Sequence, residues 1–296
     1  MPRLFYTDHF TLPLPAGHKF PGEKYRMLRE TLTRDNAFTF LPASLASRES
    51  VELVHDPAYV SAFLSGQLDP ASIRRIGFPW SEGLVQRTLA SVGSTWAATE
   101  EALNTGWGGT LAGGTHHAFV AEGSGFCVFN DIAIAIRTLQ RDRGLERLAV
   151  IDLDVHQGDG TAQIFAGDPA VFTLSVHCKN NFPLRKQQSR VDLELDSGVG
   201  DEEYLRVLQE VLPRVWDFRP QAVFYQSGVD GLASDLLGHL KLTHAGLIER
   251  DRIVMMPAQA SKIPLVITLG GGYSRPIDLT VEAHANTFRT ANKIFA

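Results

Sequence analysis

"LAVIDLDVHQGDG", Leu148–Gly160, opens as an apolar run and closes as a crowd of charge. Leu148 to Ile151 are the aliphatic and β-branched residues of a strand buried on both faces, as in a parallel sheet covered by helices. Asp152, Asp154, His156 and Asp159 follow directly. Carboxylates crowded in this way repel one another unless positive charge lies among them. Asp154 and His156 stand at i and i+2, so on an extended segment both side chains leave the same face and can reach one ion.

The pattern of apolar run followed by polar or glycine-rich cluster recurs along the chain. The other runs are "RLFYT", "GTLAGG", "VFTLSV", "AVFYQSG" and "PLVITLGGG". Helix-like segments lie between them: Glu82 to Leu103, Ile132 to Arg141, Glu202 to Val215 and His244 to Met255. Strands alternating with helices predict an α/β fold of three layers, α/β/α, with a mainly parallel central sheet. No repeat, low-complexity tract or linker divides the chain, so one domain over 1–296 is expected. Ligands of open parallel sheets bind beyond the carboxyl ends of the strands. "GGTHHAF", "DVHQGDG", "QSGVDGL" and "GGGYS" all follow apolar runs. They are predicted to converge on one pocket.

The composition, 44% hydrophobic and 21% charged, is that of a globular chain able to bury a large core. A net charge of −5 leaves no basic footprint for nucleic acid or anionic lipid and tolerates a cationic substrate. Two cysteines without a CxxC pair fit a reducing compartment. "MPRLFYTDHF" lacks the pattern of a signal peptide, and no run approaches the roughly 18 apolar residues of a membrane span. A cytoplasmic, prokaryotic protein is expected.

Asp230, in "SGVDGL", offers a third ligand beside Asp154 and His156. Two carboxylates and one imidazole suit Zn²⁺ or Fe²⁺ and leave open positions for water and substrate. A lone Asp-x-His would more often be a helix cap and a loop histidine. The adjacent His116 and His117, after two glycines, point to acid–base work, because imidazole titrates near neutral pH. Asp152 and Asp159 are spare carboxylates suited to orienting the two rings. Tyr273 can hydrogen-bond a developing oxyanion. "GGG" has no phosphate-loop spacing.

These four motifs, in this order and at these separations, resemble the zinc-dependent histone deacetylase family, within the arginase–deacetylase fold. The likeness runs from "HKFP" near the N-terminus to "GGGYS". The glutamine of "DVHQGDG", the segment "GFPWSEGLVQRTLASVG" and the compact length look most like class IV deacetylases and their bacterial relatives. The resemblance implies Zn²⁺ on Asp154, His156 and Asp230, with Fe²⁺ as the other candidate. It implies His117 as general base and acid, His116 as its electrostatic partner, pairing of Asp152 with His116 and of Asp159 with His117, and Tyr273 on the amide carbonyl. Gly125, Phe126, Phe182 and Gly271 match residues lining the acyl-lysine channel. Asp152 and Ser175 match ligands of a structural K⁺ or Na⁺. The segment after Phe182, "PLRKQQSRVDLELDSGVGDEEY", lacks the family's "PGTG" pattern.

The implied activity is hydrolysis of acyl-lysine, on a protein or peptide, by metal-activated water. The class IV likeness implies a preference for long fatty acyl chains over acetyl. An acetylpolyamine or other small-molecule amide hydrolase on the same fold is the alternative, although "GHKFPGEKYR" lacks the long insertion of polyamine enzymes. A non-catalytic acyl-lysine-binding module would be expected to have lost His116, His117 or Tyr273. A two-manganese ureohydrolase would need carboxylates where Gly158 and Leu232 stand.

Overall fold

A computed structural model describes residues 1–10, 12–15 and 17–296. Among these residues, eight strands form one sheet: β1 (Arg3–Tyr6), β2 (Thr39–Pro42), β3 (Trp107–Thr110), β4 (Leu148–Asp152), β5 (Val171–Cys178), β6 (Val191–Leu195), β7 (Ala222–Gln226) and β8 (Leu265–Thr268). Their order is β2-β1-β3-β8-β7-β4-β5-β6, and every neighbouring pair is parallel. The helices are α1 (Lys24–Arg34), α2 (Arg48–Val51), α3 (Pro57–Leu64), α4 (Pro70–Ile76), α5 (Glu82–Thr105), α6 (Asp131–Arg143), α7 (Asp159–Ile164), α8 (Asp201–Val211), α9 (Pro213–Asp217), α10 (His244–Ala260) and α11 (Asp278–Ile294).

The strand side-chain period of two builds two cores from one apolar run. Along β4, Leu148 and Val150 pack with Ala98, Ala102, Ile132 and Ile136 of α5 and α6. Ala149 and Ile151 pack on the other face with Leu28, Leu208, Val254 and Phe288 of α1, α8, α10 and α11. This is the expected α/β/α sandwich. Polar caps start the helices: Ser81 accepts from the Leu84 N–H, Asn130 from Ala133 and Thr243 from Gly246.

β2 and β6 were not among the predicted runs, and they are the two edges. An edge strand packs less completely than a central one, so it needs no continuous apolar run. β6 reads "VDLEL" and β2 is half-exposed, whereas β4, β5, β7 and β8 are buried throughout. The run "GTLAGG" is also displaced: β3 ends at Thr110, and the rest forms the turn toward His116. The segment Glu202–Val215 divides into α8 and α9, with Pro213 opening the second.

Four motifs follow β3, β8, β7 and β4, and these strands are contiguous in the sheet. The chain visits β4, β5 and β6 in succession, then returns to the opposite side of β4 for β7. That reversal places "DVHQGDG", "QSGVDGL", "GGGYS" and "GGTHHAF" side by side at the carboxyl ends.

Candidate functional site

β4 ends at Asp152, so Asp154 and His156 sit on a bend and not on the extended segment expected of them. The bend is pinned by Asp152 Oδ1, which accepts the Asp154 N–H at 3.1 Å, and by Asp154 Oδ1, which accepts the His156 N–H at 3.0 Å. The bend nonetheless brings the side chains together, with His156 Nδ1 3.0 Å from both Asp154 Oδ1 and Asp230 Oδ2. One ligand atom from each of Asp154, His156 and Asp230 lies within 4.8 Å of the others. The free oxygens are fixed by backbone: Asp154 Oδ2 accepts the Gly271 N–H at 2.6 Å, and Asp230 Oδ1 accepts the Val155 N–H at 2.9 Å. Gly271 lines the cleft, and a Cβ there would overlap the Asp230 carboxylate.

Burial and the charge of Asp154 push Asp230 up to about 7. Burial would lower the His156 imidazole, but its hydrogen bonds to Asp154 and Asp230 overcome this and raise it to about 10. Two buried carboxylates and an imidazole in this arrangement demand positive charge among them, and the donor set fits a single divalent cation such as Zn²⁺ or Fe²⁺.

The histidine pair stands beside this set. His116 Nδ1 is 2.7 Å from Asp152 Oδ2, and His117 Nδ1 is 2.6 Å from Asp159 Oδ1. Each ring therefore has its own buried carboxylate, leaving each Nε2 for other work. The environments separate the two rings. Burial would lower His116, but the charges of Asp152 and Asp154 raise it to about 9. Burial and the neighbouring His116 charge lower His117 to about 4.

Tyr273 lines the same cleft of about 630 Å³. Burial holds its phenol well above the ordinary value, so the hydroxyl keeps its proton and can donate. Its backbone N–H is held by Asp235 Oδ2 at 2.6 Å. Phe126 and Phe182 form the walls. Phe182 meets His117 edge-on at 5.0 Å and remains 43% exposed at the mouth. Gly125 and Phe126 are consecutive left-handed residues, φ 53° and 66°. Phe126 tolerates this because the Gly125 and Phe126 N–H groups bond Arg75 O and Ile76 O at 3.2 and 2.8 Å. Ser175 is the cross-strand partner of Asp152, with its Oγ 2.9 Å from His177 Nδ1.

Most of the supporting residues carried no local sequence signal, and Gln157 stood out only through the class IV likeness. Asp131 accepts from the Gly114 and Thr115 N–H groups and from the Thr95 and Thr115 hydroxyls, fixing the turn before His116. Arg250 donates to Gly228 O at 2.5 Å, just ahead of Asp230, and is itself held by Asp251. Gln157 donates to Gln187 O and Asp192 Oδ1 and accepts from the Gln187 N–H. These bonds hold the segment that lacks "PGTG" against the Asp154–His156 bend.

His55 supports the histidine loop from beneath. Its Nδ1 is 2.9 Å from Phe119 O and its Nε2 accepts the Asn130 N–H at 2.8 Å, which requires the neutral ring. Burial lowers it to about 4. The unfolded ring takes a proton near pH 6.5, before the folded one does. The contribution is therefore complete above about pH 6.5 and falls by on the order of 3 kcal/mol as pH drops toward about 4. Urea unfolding between about pH 7 and about pH 5 should show His55→Gln with a flatter pH slope than the wild type. Equal slopes would show that His55 is not the linked group.

The chain belongs to the histone deacetylase family, for residues 18–288 match the family's histone deacetylase domain. It is 45% identical to an uncharacterized protein of Picosynechococcus sp., over 99% of both chains. It is 33% identical to histone deacetylase 2 of Arabidopsis thaliana, over 87% of this chain and 70% of that one. A probable deacetylase of Archaeoglobus fulgidus is 31% identical, over 84% and 73%. With its all-parallel sheet and flanking helices, the protein is a deacetylase-family hydrolase of the arginase–deacetylase fold. Among the described residues, no helix is long and apolar enough to cross a membrane.

Proposed function

We propose that the protein is a metal-dependent lysine deacylase of class IV type, cleaving the amide between an acyl group and a lysine side chain. The observation that carries this reading is the pairing of His116 and His117 with separate buried carboxylates, beside Asp154, His156 and Asp230 in one cleft. A divalent cation held by those three residues would supply Lewis-acid polarisation of the acyl carbonyl and a more acidic attacking water. His117 Nε2 takes a proton from the water as its oxygen bonds the carbonyl carbon. Asp159 keeps the ring oriented through Nδ1, and the charge on His116 balances the developing anion. Tyr273 donates its hydroxyl proton in a hydrogen bond to the carbonyl oxygen. When the C–N bond breaks, His117 returns the proton to the lysine nitrogen, giving amine and free acid. The walls of Phe126 and Phe182 suit the thin apolar stem of lysine. A K⁺ or Na⁺ at Asp152 and Ser175 would stiffen the ends of β4 and β5.

The deciding experiment is turnover of fluorogenic acyl-lysine peptides by metal-replete protein, with and without a hydroxamate chelator. Chelator-sensitive release of the free lysine is expected. Binding without turnover would favour an acyl-lysine-binding module, and activity confined to acylated polyamines would favour the small-molecule alternative. Within the reading, Tyr273→Phe should lose about 3 kcal/mol of transition-state stabilisation, roughly 100-fold in kcat, with KM nearly unchanged. An unaltered kcat would remove Tyr273 from the mechanism.

A further inference from the structure

The cleft does not end at the catalytic set. The same cavity reaches Phe20, Lys24, Tyr25, Arg87, Ser91 and Gly113. Lys24 is only 2% exposed, with its Nζ 3.1 Å from Gly270 O and 3.5 Å from Gly272 O. That ammonium also lies 5.3 Å from the ring centres of both Tyr25 and Tyr273. Arg87 is half-buried, its guanidinium 4.5 Å from the Tyr25 ring centre and 5.4 Å from that of Phe20. Among the described residues, no carboxylate lies within ion-pair distance of either cation. Among the described residues, the one acidic residue lining the cleft is Asp154, which belongs to the candidate metal set. On a chain of net charge −5, two cations without a carboxylate partner in a cavity wall are the reverse of the average surface, and of the two, among the described residues, only Lys24 has oxygen partners, its two carbonyls.

A substrate attached to a protein must enter acyl end first. With its carbonyl at His117 and Tyr273, whatever extends beyond the carbonyl runs away from the exposed mouth at Phe182 and toward this buried wall. A neutral chain there would strip water from the half-buried Arg87 guanidinium and offer it nothing in return, whereas Lys24 is already out of water and held by its two carbonyls. A carboxylate would offer Arg87 a two-oxygen partner matched to its planar fork, held ready by the aromatic faces beneath it.

We infer that the wall formed by Arg87 and Lys24 is a carboxylate subsite, and that the acyl groups removed are those of dicarboxylic acids, such as succinyl or glutaryl, on lysine. This rests on the deacylase reading and replaces the long fatty chain implied by the class IV likeness. The test compares kcat/KM on one peptide carrying succinyl- or glutaryl-lysine with its neutral counterpart of matched chain length, butyryl- or pentanoyl-lysine, and with myristoyl-lysine. The acidic acyl groups are expected to be favoured about tenfold or more. Arg87→Gln should collapse that ratio, and Arg87→Lys should restore part of it. A wild-type ratio near one, a preference for myristoyl, or a ratio unmoved in Arg87→Gln overturns the inference. Thermal protection by free glutarate and by acetate distinguishes the source of the carboxylate. Dependence on Arg87 for glutarate supports the acyl subsite; equal dependence for acetate, without acyl selectivity, means the cations serve the released acid and the inference fails. If no acyl-lysine peptide is turned over, the deacylase reading falls first and carries this one with it.

Discussion

Asp230→Ala is expected to lose metal and turnover together. Asp230 is fully buried, offers Oδ2 to the shared position at His156 Nδ1, and uses Oδ1 to hold the Val155 N–H. Its removal leaves one carboxylate and one imidazole, and loosens the bend that presents them. Losing even an outer partner of a metal ligand costs about 10–100-fold in affinity, so the loss of a ligand should exceed that. The fold should persist, because the substitution also relieves the repulsion between two buried carboxylates. Metal content after dialysis, turnover and circular dichroism would be measured on the same sample. A variant with stoichiometric metal and wild-type turnover would show that Asp230 is not a ligand.

The histidines should divide in the opposite way. His117→Ala is expected to keep its metal and lose about 10²–10⁴-fold in kcat, the usual worth of a positioned acid–base group. His116→Ala should lose less, because its ring supplies charge and need not carry the transferred proton. The geometry makes the distinction meaningful: the ring centres lie 4.1 Å apart, yet each ring is tied to a different carboxylate. Equal losses in the two variants, or loss of metal in either, would contradict this division of labour.

Legibility in the sequence followed burial. β4, β5, β7 and β8 could be read because both faces are covered, which forces uninterrupted apolar runs. α11 was not read, since Thr280, Thr287 and Thr290 occupy buried positions and blur its apolar stripe. α1 presents only Leu28 and Leu32 as buried apolar residues. The candidate site was legible for a different reason. Asp154, His156, Asp230, His116, His117 and Tyr273 are chemically unusual next to apolar runs, so residue type and local spacing singled them out. Asp131, Arg250 and His55 have no such mark, and Gln157 was marked only through the class IV likeness, not through its partners. Each is an ordinary polar residue whose meaning lies in a partner far along the chain.

The sequence by itself determined which segments must be buried strands and which side chains are suited to hold a cation or move a proton, because both follow from local periodicity and from the chemistry of single residues. The tertiary structure decided that β3, β8, β7 and β4 lie side by side, and that Arg87 of α5 and Lys24 of α1 share a wall of the cleft behind Tyr273. Strand order and the meeting of distant helices depend on how whole apolar faces pack together. No local pattern of residues encodes a contact between groups that only this packing brings together.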